Sequence, residues 1–559
     1  NREQIEKSQA KSLPDLLATQ RGLSFSSNGA YGKTTSLNMR GTNGDHVLVL
    51  IDGVKIGSAT SGTTAFQHLP LNQIERIEVV RGPRSSLYGS EAVGGVIQIF
   101  TREGQQGEPV VNTSAMRGSH GTKEVTTAIS GGNENTNVAF SAKAFDTDGI
   151  DTTTSGFPDE DGYSNDSASL SIQHDLDKTT TVSFNAMTAS GVSEFDNCGP
   201  FTGPSGDCED EFRQQSVTSS IDTNINSSWS MSISGGETLD ESRLFTDGDR
   251  DSKFNTERRE LSWQNDFTLS TQHVLTLGYD YRDDEVSSSA EFDETERDNS
   301  AIFGQWQWTG HRADLQLSGR SDDNEAFGQE ETGSIAAGYK IENGLRVYGS
   351  YGTAFKTPTF NDLYFPDTPS FSSNPDLDPE TSETAEIGLE GGDDFRWSAN
   401  LYRTEIDQII VFDSATASVD NLDKAEINGL ELSAGGTHGG WDIEISGTFL
   451  ETEAVTNGPN DGNELPRRPH RTFNLGFQRE FDMINFRAHV RHEGDRYDDA
   501  ANSNELDGFT LVGFQLGYEL QKNVSVEAAV NNLADVDYET AAGFQNPGRT
   551  GYVRLRYDF

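Results

Sequence analysis

Aspartates in neighbouring polar stretches are the side chains in this sequence best suited to chemistry. DGID (148–151) and PDEDGY (158–163) carry the first group, and Asp196 and Asp207 follow. Calcium takes six to eight oxygen ligands, largely carboxylates, from flexible loops. These aspartates are therefore candidate ligands for one or two ions. Their presence is equally accounted for by composition, because the chain has 90 Asp and Glu residues.

The only two cysteines are next to the last two of these aspartates: Cys198 lies two residues after Asp196, and Cys208 directly follows Asp207. Such a close pair predicts a disulfide formed in an oxidising compartment. Closing a loop of this size stabilises a fold by about 3 kcal/mol on the chain-entropy model. A structural role is favoured over a redox role.

Patterns for enzymatic chemistry are absent from the sequence. Gly32-Lys33-Thr34 resembles the end of a phosphate-binding loop, but Ser27 stands where the first glycine is needed. The chain has no HExxH zinc motif and no paired CxxC. We predict that it is not an enzyme and has no catalytic cofactor.

Composition narrows the class of protein. The 559 residues carry a net charge of −48 and are 33% hydrophobic. No stretch approaches the roughly 18–20 apolar residues of a transmembrane helix, whereas barrel strands need apolar side chains only at alternate positions. The negative charge argues against nucleic-acid binding, which needs clustered Lys and Arg. A solvated, self-repelling surface accounts for it.

Alternation of apolar and polar residues covers most of the chain. In the stretch 273–282 Leu and Tyr alternate with polar residues, and the chain ends with Val553, Leu555, Tyr557 and Phe559 at every second position. This period of two is typical of half-buried strands. Repeated over some 450 residues with unequal loops, it predicts a transmembrane barrel.

The N-terminal part has a different pattern of apolar and polar residues. Short apolar runs at 46–51, 74–80 and 95–101 are bounded by Gly- and Pro-rich turns and predict strands, with a helix starting near Ser12. The polar stretch 103–109 marks a boundary. We predict a small α/β domain over residues 1–106 and a barrel over 107–559.

Several motifs together resemble one family. NMRGTNGDHVLVLIDGV (38–54) and IERIEVVRGPRSSLYGSEAVGGVIQI (74–99) are similar to the plug of TonB-dependent outer-membrane transporters, above all those for cobalamin. SYGTAFKTPTFNDLY (350–364) and NNLADVDYET (531–540) resemble their barrel segments. The resemblance implies about 22 antiparallel strands around an N-terminal plug, integral to the outer membrane of a Gram-negative bacterium.

The same resemblance implies ligands for calcium that orders two extracellular loops. The family pattern falls on Asp151, Asp159, Asp161, Asp196 and Asp207. Ile150, Pro158 and Phe195 depart from it, which is expected to weaken or remove one ion. We hypothesise that the Cys198–Cys208 bridge takes over part of the loop ordering.

The resemblance also implies contacts with substrate and between domains. Substrate-facing positions are Ser36, Asn43, Thr60 and Ser61 in the plug and Arg496 in the barrel, although small polar residues in Gly-rich loops usually just make turns. Plug arginines are expected to pair with carboxylates of the barrel wall, since such pairs are bidentate and directional. They are Arg40, Arg81 and Arg84.

The predicted function is active import of cobalamin by a monomer embedded in outer-membrane lipid. Energy would come from the inner-membrane TonB–ExbB–ExbD complex, because an outer membrane holds no nucleotide pool. Ferric siderophore or haem import is the alternative within the fold, and the stretch 355–377 lacks the His expected of a haem transporter. A passive pore, or a surface receptor used by a phage or bacteriocin, is the alternative of another class.

The start of the chain lacks two segments expected of an exported transporter. No basic start or apolar region of a signal peptide precedes the plug, and no TonB box is present. We therefore expect the chain to be processed or trimmed.

Overall fold

The computed structural model describes residues 1–8, 10–153, 158–196, 198, 207–413 and 416–559, with backbone alone at 413 and 422. The first hundred residues form a plug of short elements. Its helices are α1 (Arg2–Ser8), α2 (Leu13–Leu17) and α3 (Ser85–Tyr88), with 3-10 turns at Gly44–His46, Phe66–His68 and Leu71–Gln73. Its strands are β1 (Leu23–Ser27), β2 (Thr35–Met39), β3 (Val47–Ile51), β4 (Val54–Lys55), β5 (Ile74–Arg81) and β6 (Gly95–Thr101).

A mixed sheet in the order β4-β3-β6-β5 is the centre of the plug. Every residue of β3 is buried, as its run of Val, Leu and Ile requires. A Cβ at Gly95 would lie 2.2 Å from the carbonyl oxygen of Val80, so only glycine fits there. The three predicted strands are present, although His46 belongs to a 3-10 turn and the second strand extends to Arg81.

The predicted helix start is also present. The Ser12 hydroxyl accepts a hydrogen bond from the Asp15 N–H at 3.2 Å, which caps α2. Leu13 and Leu17 then pack into the main plug core. No helix within the described ranges is long and apolar enough to cross a membrane.

Residues 107–558 build a closed antiparallel barrel of 22 strands, as predicted. Its first eleven strands are β7 (Gly107–Gly118), β8 (Lys123–Gly132), β9 (Thr136–Ile150), β10 (Asp161–Asp175), β11 (Thr180–Asp196), β12 (Asp207–Asn226), β13 (Trp229–Thr246), β14 (Asp249–Ser270), β15 (His273–Ser288), β16 (Glu296–Thr309) and β17 (Ala313–Asn324).

The barrel continues through eleven further strands and closes where the last pairs with β7. They are β18 (Gly328–Lys340), β19 (Arg346–Lys356), β20 (Glu380–Gly391), β21 (Phe395–Asp413), β22 (Ser418–His438), β23 (Trp441–Val455), β24 (Arg471–Phe481), β25 (Ile484–Glu493), β28 (Phe509–Gln521), β29 (Val524–Asn531) and β30 (Thr550–Asp558). Between them lie a 3-10 turn (Glu342–Gly344), helix α4 (Phe360–Tyr364) and the hairpin of β26 (Arg496–Tyr497) and β27 (Glu505–Leu506).

The two ends of the barrel differ in the length of their connections. Short turns such as 227–228 and 439–440 join strands at one end, and long loops such as 357–379 and 532–549 join them at the other. Outer-membrane barrels have short periplasmic turns and longer extracellular loops. The long-loop end is therefore extracellular.

The plug packs directly against the inner wall. The His68 ring of the plug stacks on Phe212, with ring centroids 3.6 Å apart, and its Nδ1 lies 3.2 Å from the Tyr163 hydroxyl. Burial lowers the pKa of His68 to about 3, and the charge of Lys33 adds to this. His68 is therefore neutral at ordinary pH, so the stack carries no buried charge.

Candidate functional site

Three of the predicted calcium ligands meet at the extracellular end of the barrel. Carboxylate oxygens of Asp151, Asp161 and Asp196 all lie within 4.8 Å of one another. Asp151 follows β9, Asp161 begins β10 and Asp196 ends β11, so three neighbouring strands bring them to one point. Asp161 and Asp196 are buried. Carboxylates this close repel one another unless a cation or a proton neutralises them.

Two threonines of the β9–β10 loop orient these carboxylates. The N–H and the hydroxyl of Thr152 donate to Asp161 Oδ2 at 2.8 and 2.5 Å. The Thr153 hydroxyl donates to Asp196 Oδ2 at 2.7 Å. Neither residue can be predicted from the sequence, because a threonine in a polar loop has no distinguishing pattern.

The spacing of the three aspartates fits calcium. Calcium–oxygen distances of about 2.3–2.6 Å place two ligands of one ion at most about 5 Å apart. Carbonyls, hydroxyls and water commonly complete the coordination beside carboxylates. In the described part of these loops there is no second group of three His, Cys, Asp or Glu side chains at such spacing.

Asp159 and Asp207 lie beside this group without joining it. Asp207 faces Asp196 across the β11–β12 pair, and its side chain is exposed. Asp159 is also exposed, and desolvation together with the charges of Asp196 and Asp207 raises its pKa. Both remain predicted ligands on the rim of the acidic group.

Cys198 and Cys208 form a disulfide next to the acidic group, with Cα atoms 6.1 Å apart. Cys208 stands opposite Phe195 in the β11–β12 ladder, one position from Asp196. The bridge therefore restrains the end of the hairpin that carries Asp196 and Asp207.

A plug lysine links the acidic group to the plug. Lys33 is 2% exposed, and its ammonium donates to the carbonyl oxygens of Asp161 and Gly162 at 3.1 and 3.2 Å. Burial lowers its pKa to about 8, while the charges of Asp161 and Glu194 oppose that shift. Lys33, which lies in the Gly32-Lys33-Thr34 stretch that resembles a phosphate-binding loop, thus holds β10 against the plug instead.

The predicted substrate positions of the 57–66 loop lie at the top of the plug. The Asn361 N–H donates to the Thr60 carbonyl at 3.2 Å, which joins this loop to α4 of the barrel. Thr60 is buried, whereas Ser61 is exposed and its hydroxyl lies 2.9 Å from that of Thr63. Of the two, only Ser61 offers its surface to the extracellular space.

Ser36 and Asn43 are half-buried on the neighbouring part of the plug. The side-chain oxygen of Asn43 accepts a hydrogen bond from Arg468 of the β23–β24 loop, which also donates to the Gly41 carbonyl at 3.1 Å. Arg468 therefore covers this position, and nothing in its sequence context indicated that it would.

Arg496 lies in the β26–β27 hairpin and is 1% exposed. It donates to Glu493 at 2.6 Å, and its guanidinium lies 5.7 Å from the Phe509 ring centroid. Among the described residues its Nε and Nη1 have no hydrogen-bond partner. Contact between this guanidinium and a ligand requires the hairpin to move.

Two family models divide the chain as the structure does. The model for the TonB-dependent receptor plug domain matches residues 1–96. The model for the TonB-dependent receptor-like β-barrel matches residues 114–533.

The chain belongs to the TonB-dependent receptors. It is 34% identical over 579 residues to a Photobacterium profundum protein named vitamin B12 transporter BtuB, covering 100% of this chain and 91% of that one. A protein of the same name from Vibrio cholerae is 30% identical over 590 residues, with the same coverage. The receptor is thus an outer-membrane transporter of a family that contains transporters rather than enzymes.

Solved receptors share the fold at much lower identity. The siderophore receptor PirA of Acinetobacter baumannii superposes with a TM-score of 0.84 at 18% identity, covering 100% of this chain and 97% of that one. The FrpB iron transporter of Neisseria meningitidis gives 0.85 at 14% identity, covering 100% and 98%. At such identity the similarity establishes the plugged barrel only.

The receptor's plug is fastened to the wall by a buried arginine. Arg40 donates to Glu431 at 2.9 and 3.2 Å and to Glu386 at 2.9 and 3.2 Å. This matches the pairing expected for Arg40. Arg81 instead donates to the Arg21 carbonyl at 3.0 Å, and within the described residues neither it nor Arg84 forms an ion pair.

A second buried network joins plug and barrel nearer the extracellular end. Lys356 lies 2.9 Å from Asp45 and 3.3 Å from Glu380, whose carboxylate is 2.7 Å from His46 Nε2. Burial opposes ionisation of Asp45, but the Lys356 ammonium holds the pKa of Asp45 below its usual value. This network is not evident from the sequence, since its plug and barrel members are about three hundred residues apart.

Proposed function

We propose that this receptor imports cobalamin, taking it up at the extracellular end and passing it inward when the TonB–ExbB–ExbD complex acts on the plug. The observation that carries the proposal is the 34% identity, over the whole chain, to a relative named for vitamin B12 transport. The convergence of Asp151, Asp161 and Asp196 supports it, because the resemblance to cobalamin transporters implies calcium at these positions.

Calcium has a defined role in this proposal. It would be held by Asp151, Asp161 and Asp196, with Asp159 and Asp207 drawn in from the rim. When bound, it neutralises the carboxylates and joins the β9–β10 and β11–β12 loops. Lys33 transmits that order to the plug through the Asp161 and Gly162 carbonyls.

Equilibrium binding of cyanocobalamin to the purified, detergent-solubilised receptor tests this function. We expect tight binding with calcium present and weaker binding after chelation. Tight binding that is indifferent to calcium would retain the substrate but overturn the role of calcium and assign loop ordering to the disulfide. No binding in either condition would overturn the cobalamin proposal.

A matched variant and a competing ligand sharpen the test. Asp161→Asn should abolish the calcium effect, whereas Asp482→Asn, in the short turn at the other end of the barrel, should leave it unchanged. Binding of ferric enterobactin in place of cyanocobalamin would instead support the siderophore alternative.

A further inference from the structure

A cavity of about 1600 Å³ lies between the plug and one side of the barrel wall. It reaches from the periplasmic turn at Gly344 to Asn546 in the extracellular β29–β30 loop. Plug helices α1 and α2 form one side, and β25 contributes to the other. It is distinct from the acidic group, none of whose members lines it.

The charge of this cavity is opposite to that of the chain. Among the described residues, nine Lys or Arg line it against five Asp or Glu. The whole chain has 42 Lys and Arg against 90 Asp and Glu. The overall composition therefore does not explain the excess of positive charge in the cavity lining. This positive charge favours the binding of anions.

Lys11 and Arg487 are two of the cavity's cations that form no ion pair with a carboxylate among the described residues. The Lys11 ammonium donates to the Thr550 hydroxyl at 2.5 Å and lies 5.8 Å from the Tyr31 ring centroid. Arg487 faces the cavity from β25 beside His489 and Arg491. In the described part of the chain, no carboxylate oxygen lies within 4.0 Å of Lys11 or Arg487. Enclosed charges are normally paired, because desolvating a lone charge is costly.

We propose that this cavity is an internal anion-binding site, in which Arg487 and Lys11 hold a phosphate, phosphodiester or carboxylate group of the cargo on its way inward. The proposal extends the transport function above, since cobalamin carries a phosphodiester. The acidic extracellular end repels free anions, so the site selects cargo that the receptor has already captured. The site would act as a relay between capture and release.

An anionic probe tests the site without reference to the cargo. A trisulfonated pyrene dye is titrated against the detergent-solubilised receptor and followed by fluorescence anisotropy. The strongly negative surface should exclude the dye elsewhere. We expect saturable binding that weakens about ten-fold in Arg487→Gln, the loss of one charged hydrogen bond. Arg487→Lys should restore much of it, and Arg403→Gln on the outer wall should change nothing.

Absence of saturable dye binding, or equal binding by wild type and Arg487→Gln, would overturn the proposal. Neither result depends on whether cobalamin is the substrate. In cells, Arg487→Gln should bind cyanocobalamin at the surface as wild type does but import it several-fold more slowly. Unchanged import would contradict the relay role, whereas failure of wild type to bind cyanocobalamin would count only against the proposed function.

Discussion

Replacing Arg40 with Met removes a buried ion-pair contact between plug and barrel. The Glu431 side chain is 0% exposed, and the next guanidinium, of Arg21, is 4.0 Å away. The Glu386 side chain is 12% exposed and also loses its partner. Breaking a buried ion pair by deleting one member typically costs about 3–5 kcal/mol, because the remaining charge stays buried. We expect Arg40→Met to lower the free energy of plug unfolding by that amount.

A second substitution separates this cause from a general packing defect. Arg40→Met with Glu431→Gln removes both charges, and replacing a buried pair by neutral groups is often close to neutral. The double variant should therefore recover at least about half of the loss. The coupling energy is this recovery plus the loss measured in Glu431→Gln alone, so it should be at least about 2 kcal/mol, within the range for contacting residues.

Native-state hydrogen exchange of β3 amides, followed by mass spectrometry in detergent at pH 7, measures this free energy. These buried amides exchange only when the plug opens, so their protection reports plug unfolding. Loss of less than about 1 kcal/mol in Arg40→Met, or a double variant no better than the single one, would refute the reasoning.

Three further predictions concern the plug–barrel stack, the disulfide and the acidic group. The pKa of His68 is about 3 in the folded state against 6.5 unfolded, so the unfolded state binds the extra proton and stability falls as pH drops below 6.5. Between pH 7.5 and 5 the free energy of unfolding of wild type should fall by about 2 kcal/mol more than that of His68→Phe, because each pH unit below 6.5 costs about 1.36 kcal/mol. Equal losses of stability in the two proteins, measured by thermal unfolding at the two pH values, would contradict this. Replacing Cys198 and Cys208 by Ser should speed proteolytic cleavage between them when calcium is chelated, with unchanged cleavage counting against the ordering role. Asp196→Asn should weaken calcium binding at least ten-fold by calorimetry, and wild-type affinity in this variant would remove Asp196 from the site.

The architecture could be predicted because it depends on local patterns. Alternation such as that ending in Val553, Leu555 and Tyr557 sets which side chains face lipid, and these residues are 43–55% exposed on the outer wall. The number of strands required the family resemblance, since loops of very unequal length hide the count. The convergence of Asp151, Asp161 and Asp196 likewise depends on the register of three strands, which the sequence does not display.

Contacts between plug and barrel were the least predictable part. Arg40 was assigned a carboxylate partner from its type and position, but Glu386 and Glu431 lie more than three hundred residues further along the chain. Arg468 covers Asn43 and Lys33 supports β10 through carbonyl oxygens. Hydrogen bonds to backbone carbonyls leave no pattern in the sequence, because every residue has a carbonyl.

The most direct test of the central claim is uptake of radiolabelled cyanocobalamin by cells that lack their own cobalamin transporter and express the full-length receptor. We predict saturable uptake that disappears when TonB is deleted, while binding at the cell surface persists. Uptake that continues without TonB, or no uptake in cells that display correctly inserted receptor, would contradict active cobalamin import.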